Sequence, residues 1–441
     1  MSFRKFIRQA GESGDLIKID RPVSTSYELA NVAHALDGRP VLFENIVEHP
    51  GWRVCAGPCS DRRYFSMDLG INVDELLPYL ARALTQPKLP PLVNHGPCQE
   101  VVLEDFNLYD LPILLHLPQD AGYYVASNVA IIKDPDLGRN MCYHRLLRLD
   151  ERRFAARIVE RRGTATALSK TDGDLPIAIC IGVSLATHLA ASMSPPPGID
   201  ELSVAHALSP TPLVKCLTID LEVPADAEIV LEGRITRQSV SEGPFMDLTE
   251  TMDIIRQQPV IEIDLITHRR DPIFHALLPG GLEHKLLMGM PREPTIFAEV
   301  NKDVICTGAI ITPGGASWLH AIVQIDKRGP EDSKKAIEAA FRGHGSLKHV
   351  WVVDTDIDIY DPTAVEWAMA TRFQADRDLI IYPDQPGSSL DPSGTHIPGK
   401  KSRTAKMGLD CTIPWGADAE KFQKGQYALV DLDNYIRSPD K

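Results

Sequence analysis

Residues 280–289, GGLEHKLLMG, set a carboxylate beside an imidazole, Glu283 and His284, straight after a Pro-Gly-Gly break. Such a break lets the backbone approach a ligand closely, and the pair could move protons. An acid in a first helical turn also fits the helix dipole, so the pair alone does not separate chemistry from an ordinary helix start. In SEGPFMDLTE, Pro244 fixes its own φ and pushes Gly243 towards extended geometry, which holds Glu242 at a rigid turn. A carboxylate held that way suits Mg²⁺ or Mn²⁺, although a solvated turn glutamate would read the same. Asn140 and Arg145 of RNMCYHRLLRLD point to opposite faces of an extended segment, so a shared site needs a bend between them. Lys400, Lys401, Arg403 and Lys406 form a basic loop that could clamp a phosphate or simply be solvated. Asp354, Asp356 and Asp358 share a strand face but lack the glycine and terminal glutamate of a calcium loop, and they read as structural.

The elements that must carry these residues fall into three regions. FRKFIRQAGESGDL and SMDLGINVDELLPYLARAL read as helices, the second with Asn72 as a cap. The Pro-rich segment 86–97 ends this region. Residues 100–310 are strand-rich: VASNVAIIKD, FAARIVE, LPIAICIGV, CLTIDLEV, EIVLEGRI and VIEIDLITH are separated by turn signals that fit an antiparallel meander or barrel. SLATHLAASMS and ELSVAHALS are helices inserted into it. Beyond them, a helix (EDSKKAIEAAFRGH), a strand (HVWVVDTDIDIYD) and a proline-led helix (PTAVEWAMATRF) mark a smaller α/β region.

With 441 residues, the chain exceeds what one core usually supports. Its 44% apolar and 24% charged composition is that of a soluble globular protein. A net charge of −14 argues against a nucleic-acid partner, while leaving room for an anionic substrate in a local basic pocket. No apolar run approaches a membrane span and the start lacks a signal peptide. The eight scattered cysteines read as reduced thiols, so the expected location is cytoplasmic. Neither a dinucleotide fingerprint, nor a P-loop, nor a G-x-S-x-G elbow is present.

Taken in order, NMCYHR, SEGPFMD, GGLEHKLLMG and AKMGLDCT resemble the signatures of the UbiD-like decarboxylases, and the resemblance spans nearly the whole chain. It implies a mixed α/β (α+β) fold: an N-terminal α/β region (1–98), a central split β-barrel holding the flavin (99–315) and a C-terminal α/β oligomerisation domain (316–441). It implies prenylated FMN, a divalent Mn²⁺ or Mg²⁺ and K⁺ as cofactors, a flavin prenyltransferase as supplier, and a homodimer or homohexamer. By position, Asn140 and Glu242 would hold the metal, Lys406 would contact the cofactor phosphate, and Arg145 and Glu283 would sit over the ring. Arg145 would bind the carboxylate that leaves as CO₂ and tune Glu283, which would donate the replacing proton. The implied activity is reversible, non-oxidative decarboxylation of an α,β-unsaturated, aromatic or heteroaromatic acid.

Some positions depart from the pattern. Arg161 stands where the third metal ligand, a histidine, belongs, and a guanidinium cannot coordinate a cation. Either Glu160 substitutes, fewer ligands hold the metal, or Arg161 itself pairs with the phosphate; we favour the last two. Met246 and Cys142 replace glycines, and no second active-site acid is identifiable, which leaves His284 as a stand-in proton carrier. The missing histidine also fits a non-catalytic flavin-binding or scaffold subunit. An oxidoreductase using ordinary flavin is a third alternative, disfavoured by the missing nicotinamide fingerprint.

Overall fold

Sheets of four, nine and five strands organise the chain in a computed structural model that describes residues 2–397, 400–425, 427–431 and 435. Pro398 and Gly399, just before the basic residues, lie outside the described residues.

The four-stranded sheet runs Ile17–Ile19, Val41–Phe43, Arg53–Ala56 and then Ile273–Ala276, a strand from far along the chain. That last strand pairs in parallel with Arg53–Ala56, setting His275 opposite Cys55. The N-terminal helix Phe3–Glu12 buries Phe3, Phe6, Ile7 and Ala10, one apolar stripe at helical spacing. The expected helix over SMDLGINVDELLPYLARAL is broken by Gly70, which ends the helix Arg62–Leu69 in left-handed geometry. Asn72 then opens the next turn with a capping box closed by Glu75, and Leu76–Thr85 follows as a helix.

The nine-stranded sheet is antiparallel at every pairing, as expected, but most neighbouring strands are not consecutive in sequence, so it is not a simple meander. Its backbone is the pair Ile229–Glu242 and Arg256–His268, both long enough to carry residues from the sheet centre out to a hairpin. Gly138–Tyr143 is a terminal strand and Leu146–Arg148 lies towards the other end. His144 and Arg145 form the connection between these two strands. Inserted helices Leu185–Ser192 and Glu201–Leu208 form as expected and are almost wholly buried. In CLTIDLEV, by contrast, Cys216–Leu221 is not strand: the buried Glu232 carboxylate accepts from Leu217 N, Thr218 N and Thr218 Oγ1, and this tertiary contact overrides the β propensity. A helix at Gly163–Lys170 was not expected from RRGTATALSK.

The five-stranded sheet has the order Ile305–Ile311, His320–Asp326, His349–Asp354, Arg403–Asp410, Leu379–Pro386, parallel in the middle and antiparallel at its edges. Val350 and Val352 join the core that takes Ala336, Ile337 and Ala340 of the helix Asp332–Gly343. Val353 joins the core that takes Val365 and Ala368 of Pro362–Arg372, so helices cover both faces. The strand ends at Asp354, short of the expected run to Asp361. Buried Arg372 pairs there with Asp354 at 2.7 Å and Asp356 at 2.6 Å, which gives these acids the structural role expected.

Candidate active site

Arg145 leaves the bend at the end of Gly138–Tyr143 and meets three acids of one hairpin. Its Nε and Nη2 grip Glu242 at 2.8 and 3.1 Å, Nη2 also reaches Asp253 at 2.8 Å, and Nη1 lies 3.4 Å from Asp247. Burial alone would lower the guanidinium pKa, but bonding to Glu242 and the charges of Asp253 and Asp247 more than offset it and raise the value. Glu242 is fully buried; it takes a further 3.1 Å bond from the Tyr124 hydroxyl, which in turn accepts from Gly243 N at 3.2 Å. The turn beneath contains a cis Gly243–Pro244 peptide, and Phe245 lies under the guanidinium at 5.2 Å.

This hairpin is also the wall on which the Pro-Gly-Gly break rests. Gly280 has φ +70°, and a Cβ there would come within 3.0 Å of Glu250 Cγ and 3.3 Å of Met246 Cε. Glycine is required by both conformation and space. The helix Leu282–Gly289 starts just beyond, capped from outside by Asp37, whose carboxylate accepts from Leu282 N at 2.9 Å. His284 accepts from Gly280 N at 3.1 Å. Its pKa is lowered, chiefly because the surrounding protein desolvates the ring; Asp247 opposes this and Arg145 adds to it.

Glu283, 2% exposed, turns from the hairpin towards the N-terminal sheet. Gly57 N donates to its Oε2 at 3.1 Å, Cys59 N to its Oε1 at 3.0 Å, and His275 Nε2 lies 3.0 Å from Oε1. Burial, and next the Glu283 carboxylate, push the thiols of Cys55 and Cys59 well up, so both stay protonated. Glu283 lines a small cavity with Arg39, Asp37, Ala56, Gly57 and Leu278. Arg145 pairs with Glu242, Asp247 and Asp253, so the direct contact with Glu283 implied by the resemblance is not made.

Asn140 and Lys406 belong to a second cluster. Asn140 Nδ2 donates to Glu201 at 3.0 Å, while its buried Oδ1 has no hydrogen-bond partner. A Cβ on Gly163 would lie 2.7 Å from that oxygen, so the start of the helix Gly163–Lys170 is drawn onto Asn140. Burial raises the Glu201 carboxyl to about 7. Lys406 is 6% exposed, donates to Gly345 O at 2.8 Å and lies over Phe341. Burial, with a contribution from Lys401, pushes it down to about 8. Arg292 falls to about 10 through burial and the charge of Arg162, and its buried Nε has no partner. His344 falls to about 3 through burial and then Arg292, Lys406 and Arg162; its Nε2 is likewise unpartnered. Lys406, Arg292 and Arg162 thus concentrate positive charge around the neutral His344 ring.

Of the four basic loop residues, only Lys406 turns inward: Lys400 and Lys401 are exposed and Arg403 pairs with Asp384 at 2.7 Å. Arg161 is exposed at φ +62°; its neighbour Arg162 is the one that acts on Arg292 and His344. Asn140 and Glu242 do not converge on a divalent-metal site; the carboxylate beside Asn140 is that of Glu201. Asn140 offers one free oxygen, both oxygens of Glu242 are engaged by Arg145, and the described residues hold no group of three His, Cys, Asp or Glu able to bind a metal. Sequence reasoning missed Arg292, Arg162, His344, His275 and the Gly57 and Cys59 amides. Asp247 was visible inside SEGPFMD; the others are brought in by tertiary pairing alone.

Models of the 3-octaprenyl-4-hydroxybenzoate carboxy-lyase (UbiD) domains match residues 7–84 (N-terminal), 92–282 (Rift-related) and 285–411 (C-terminal). An anhydromevalonate phosphate decarboxylase of Methanothermobacter thermautotrophicus is 40% identical over 96% of this chain and 99% of its own. Another from Archaeoglobus fulgidus is 40% identical over 92% and 94%. The UbiD-class enzyme HmfF from Pelotomaculum thermopropionicum, solved with FMN, superposes with a TM-score of 0.93 at 36% identity, covering 99% of this chain and 100% of that one. An evolved dimeric form of HmfF, solved with prFMN, gives 0.88 at 33%, covering 100% and 99%. Among the described residues no helix is long and apolar enough to cross a membrane.

Proposed function

This chain belongs to the UbiD family of carboxy-lyases, and on that premise we propose that it decarboxylates anhydromevalonate phosphate with prenylated FMN. The observation that carries the substrate is the 40% identity, over 96% of the chain, to a decarboxylase of that name. Loss of water from a 3-hydroxy acid leaves an α,β-unsaturated carboxylate, so the proposal selects one branch of the acids expected from sequence and sets the aromatic ones aside. Relatives named as enzymes along their full length also favour catalysis over a scaffold role.

When bound, prenylated FMN supplies the sink for the electron pair left as CO₂ departs. The chain's own residues do the rest. Lys406, Arg292 and Arg162 hold the cofactor phosphate, with Asn140 beside them, so positive side chains take the part a metal would play. Arg145 offers the substrate carboxylate its Nη1, whose hydrogen-bonded acid among the described residues is Asp247, at a long 3.4 Å. Glu283 delivers the proton to carbon, and its burial keeps water from competing. His284, with its lowered pKa, stays neutral near pH 7 and orients the Gly280 turn. A cytoplasmic homodimer or homohexamer, supplied by a flavin prenyltransferase, completes the proposal.

The test is CO₂ release by protein purified from cells that make prenylated FMN. Anhydromevalonate phosphate is compared with its unphosphorylated acid, furoate and hydroxybenzoate. The expected result is turnover of the phosphorylated acid, abolished by Glu283→Gln with flavin still bound. Equal turnover of an aromatic acid would overturn the substrate; an active Glu283→Gln would overturn the proton donor.

A further inference from the structure

Behind Glu283 stands a line of three further polar side chains that decarboxylation chemistry does not itself require. His275 Nε2 lies 3.0 Å from Glu283 Oε1, His275 Nδ1 lies 3.1 Å from His188 Nε2, and His188 Nδ1 lies 2.6 Å from the Tyr143 hydroxyl. That hydroxyl also lies 3.0 Å from the His188 carbonyl oxygen. His275 sits on the strand Ile273–Ala276, His188 on the helix Leu185–Ser192, and Tyr143 ends the strand Gly138–Tyr143. Both imidazoles are 0% exposed and use both nitrogens within the line, while Tyr143 is partly exposed.

We propose that His275, His188 and Tyr143 are positioning residues that keep Glu283 hydrogen-bonded in both of its charge states by exchanging tautomers. The inference rests on the reading of Glu283 as the proton donor. With Glu283 ionised, Tyr143 O–H donates to His188 Nδ1, His188 Nε2–H to His275 Nδ1, and His275 Nε2–H to the carboxylate. With Glu283 neutral, its own O–H donates to His275 Nε2, His275 Nδ1–H to His188 Nε2, and His188 Nδ1–H to the Tyr143 oxygen. The Tyr143 proton then turns to the His188 carbonyl. The second arrangement holds one proton more than the first, all of it accounted for on Glu283, and neither ring becomes charged.

The surroundings suit a neutral His188 ring. Burial, with His275 beside it, holds His188 well below the ordinary histidine range. Phe3 packs on the His275 ring at 5.2 Å, and Ser127 bonds the His275 carbonyl. The titratable and charged groups facing the line are the raised thiols of Cys55 and Cys59, with Asp68 acting on Cys59, Asp37 and Arg39 across the small cavity that Glu283 lines, and His284 next to Glu283 on its own helix. A half-satisfied buried line would be costly; two complete arrangements avoid that cost at each stage of the proton cycle.

The test uses cofactor-loaded protein labelled with ¹⁵N-histidine, read by solid-state NMR across the pH range of the decarboxylation profile. His275 and His188 are expected to pass together from the Nε2–H to the Nδ1–H tautomer as pH falls, at the midpoint of the Glu283 limb of kcat. Tyr143→Phe removes one end of the line, so the two rings should lose their common midpoint and the kcat limb should shift by about one pH unit, with KM unchanged. Rings that hold one tautomer throughout, rings that become imidazolium, or a Tyr143→Phe profile that matches the parent would each overturn the proposal. An active Glu283→Gln would instead overturn the reading beneath it.

Discussion

Lys406 gives the cationic pocket a pH signature that can be worked out from the structure. Its pKa falls from 10.5 to about 8, through burial and then Lys401. A phosphate dianion at contact distance restores the charge: a unit pair at 4 Å is worth about 4 kcal/mol at an effective dielectric of 20. Binding thus raises the Lys406 pKa. Below pH 8 the pocket is already charged and binding takes up no proton. Above pH 8 it must take up one, so affinity falls as pH rises until the bound-state pKa is reached. The full shift corresponds to about 3 kcal/mol; halving it for solvent that still reaches the ammonium leaves about 1.5 kcal/mol, or roughly tenfold in affinity. The phosphate's own second pKa of about 6 does not interfere in this range. Flavin fluorescence titration at pH 7 to 10 should show FMN binding weaken roughly tenfold or more, while riboflavin, lacking the phosphate, stays level. Lys406→Met should weaken FMN at pH 7 and flatten the profile. A flat FMN profile, or a riboflavin profile that falls in parallel, would refute the assignment.

Dialysis against a chelator should leave FMN affinity unchanged, because Glu242 is spent on Arg145; a loss that added Mn²⁺ or Mg²⁺ restores would return the metal to the site. Gly280→Ala forces a left-handed alanine against Glu250 and Met246, and thermal melts should show a loss of about 1–2 kcal/mol with reduced turnover. Tyr124→Phe strips a bond from Glu242 and orphans Gly243 N, a cost of about 1–3 kcal/mol readable by denaturant unfolding.

The places that sequence made legible are those where local chemistry and tertiary structure agree. Asn72 and Glu75 close a capping box within four residues; Asn140 and Arg145, five apart on opposite faces, go to different partners. Pro-Gly-Gly announced the start of the Glu283 helix. What Glu283 touches was not legible, because the strand Ile273–Ala276 is too short to show a period and its partner strand lies near the start of the chain. Cys59 is one of eight scattered thiols in the sequence, yet it is its backbone amide, with that of Gly57, that binds Glu283. The basic loop suggested four phosphate ligands, and only strand alternation through Arg403–Asp410 decides that Lys406 faces in.

The borrowed strand of the N-terminal sheet also bears on how this protein is born. Glu283 reaches the Cys59 amide across 224 residues of chain. At about 5–20 residues per second, a ribosome needs roughly 10–45 s to cover that interval. During it, Arg53–Ala56 has no partner on one side and presents an open edge. Emergence of residue 276 closes that edge, and the same event carries His275 to the place where Glu283, a few residues later, will dock. In the nascent chain, the end of that exposure and the assembly of the Glu283 site are one step.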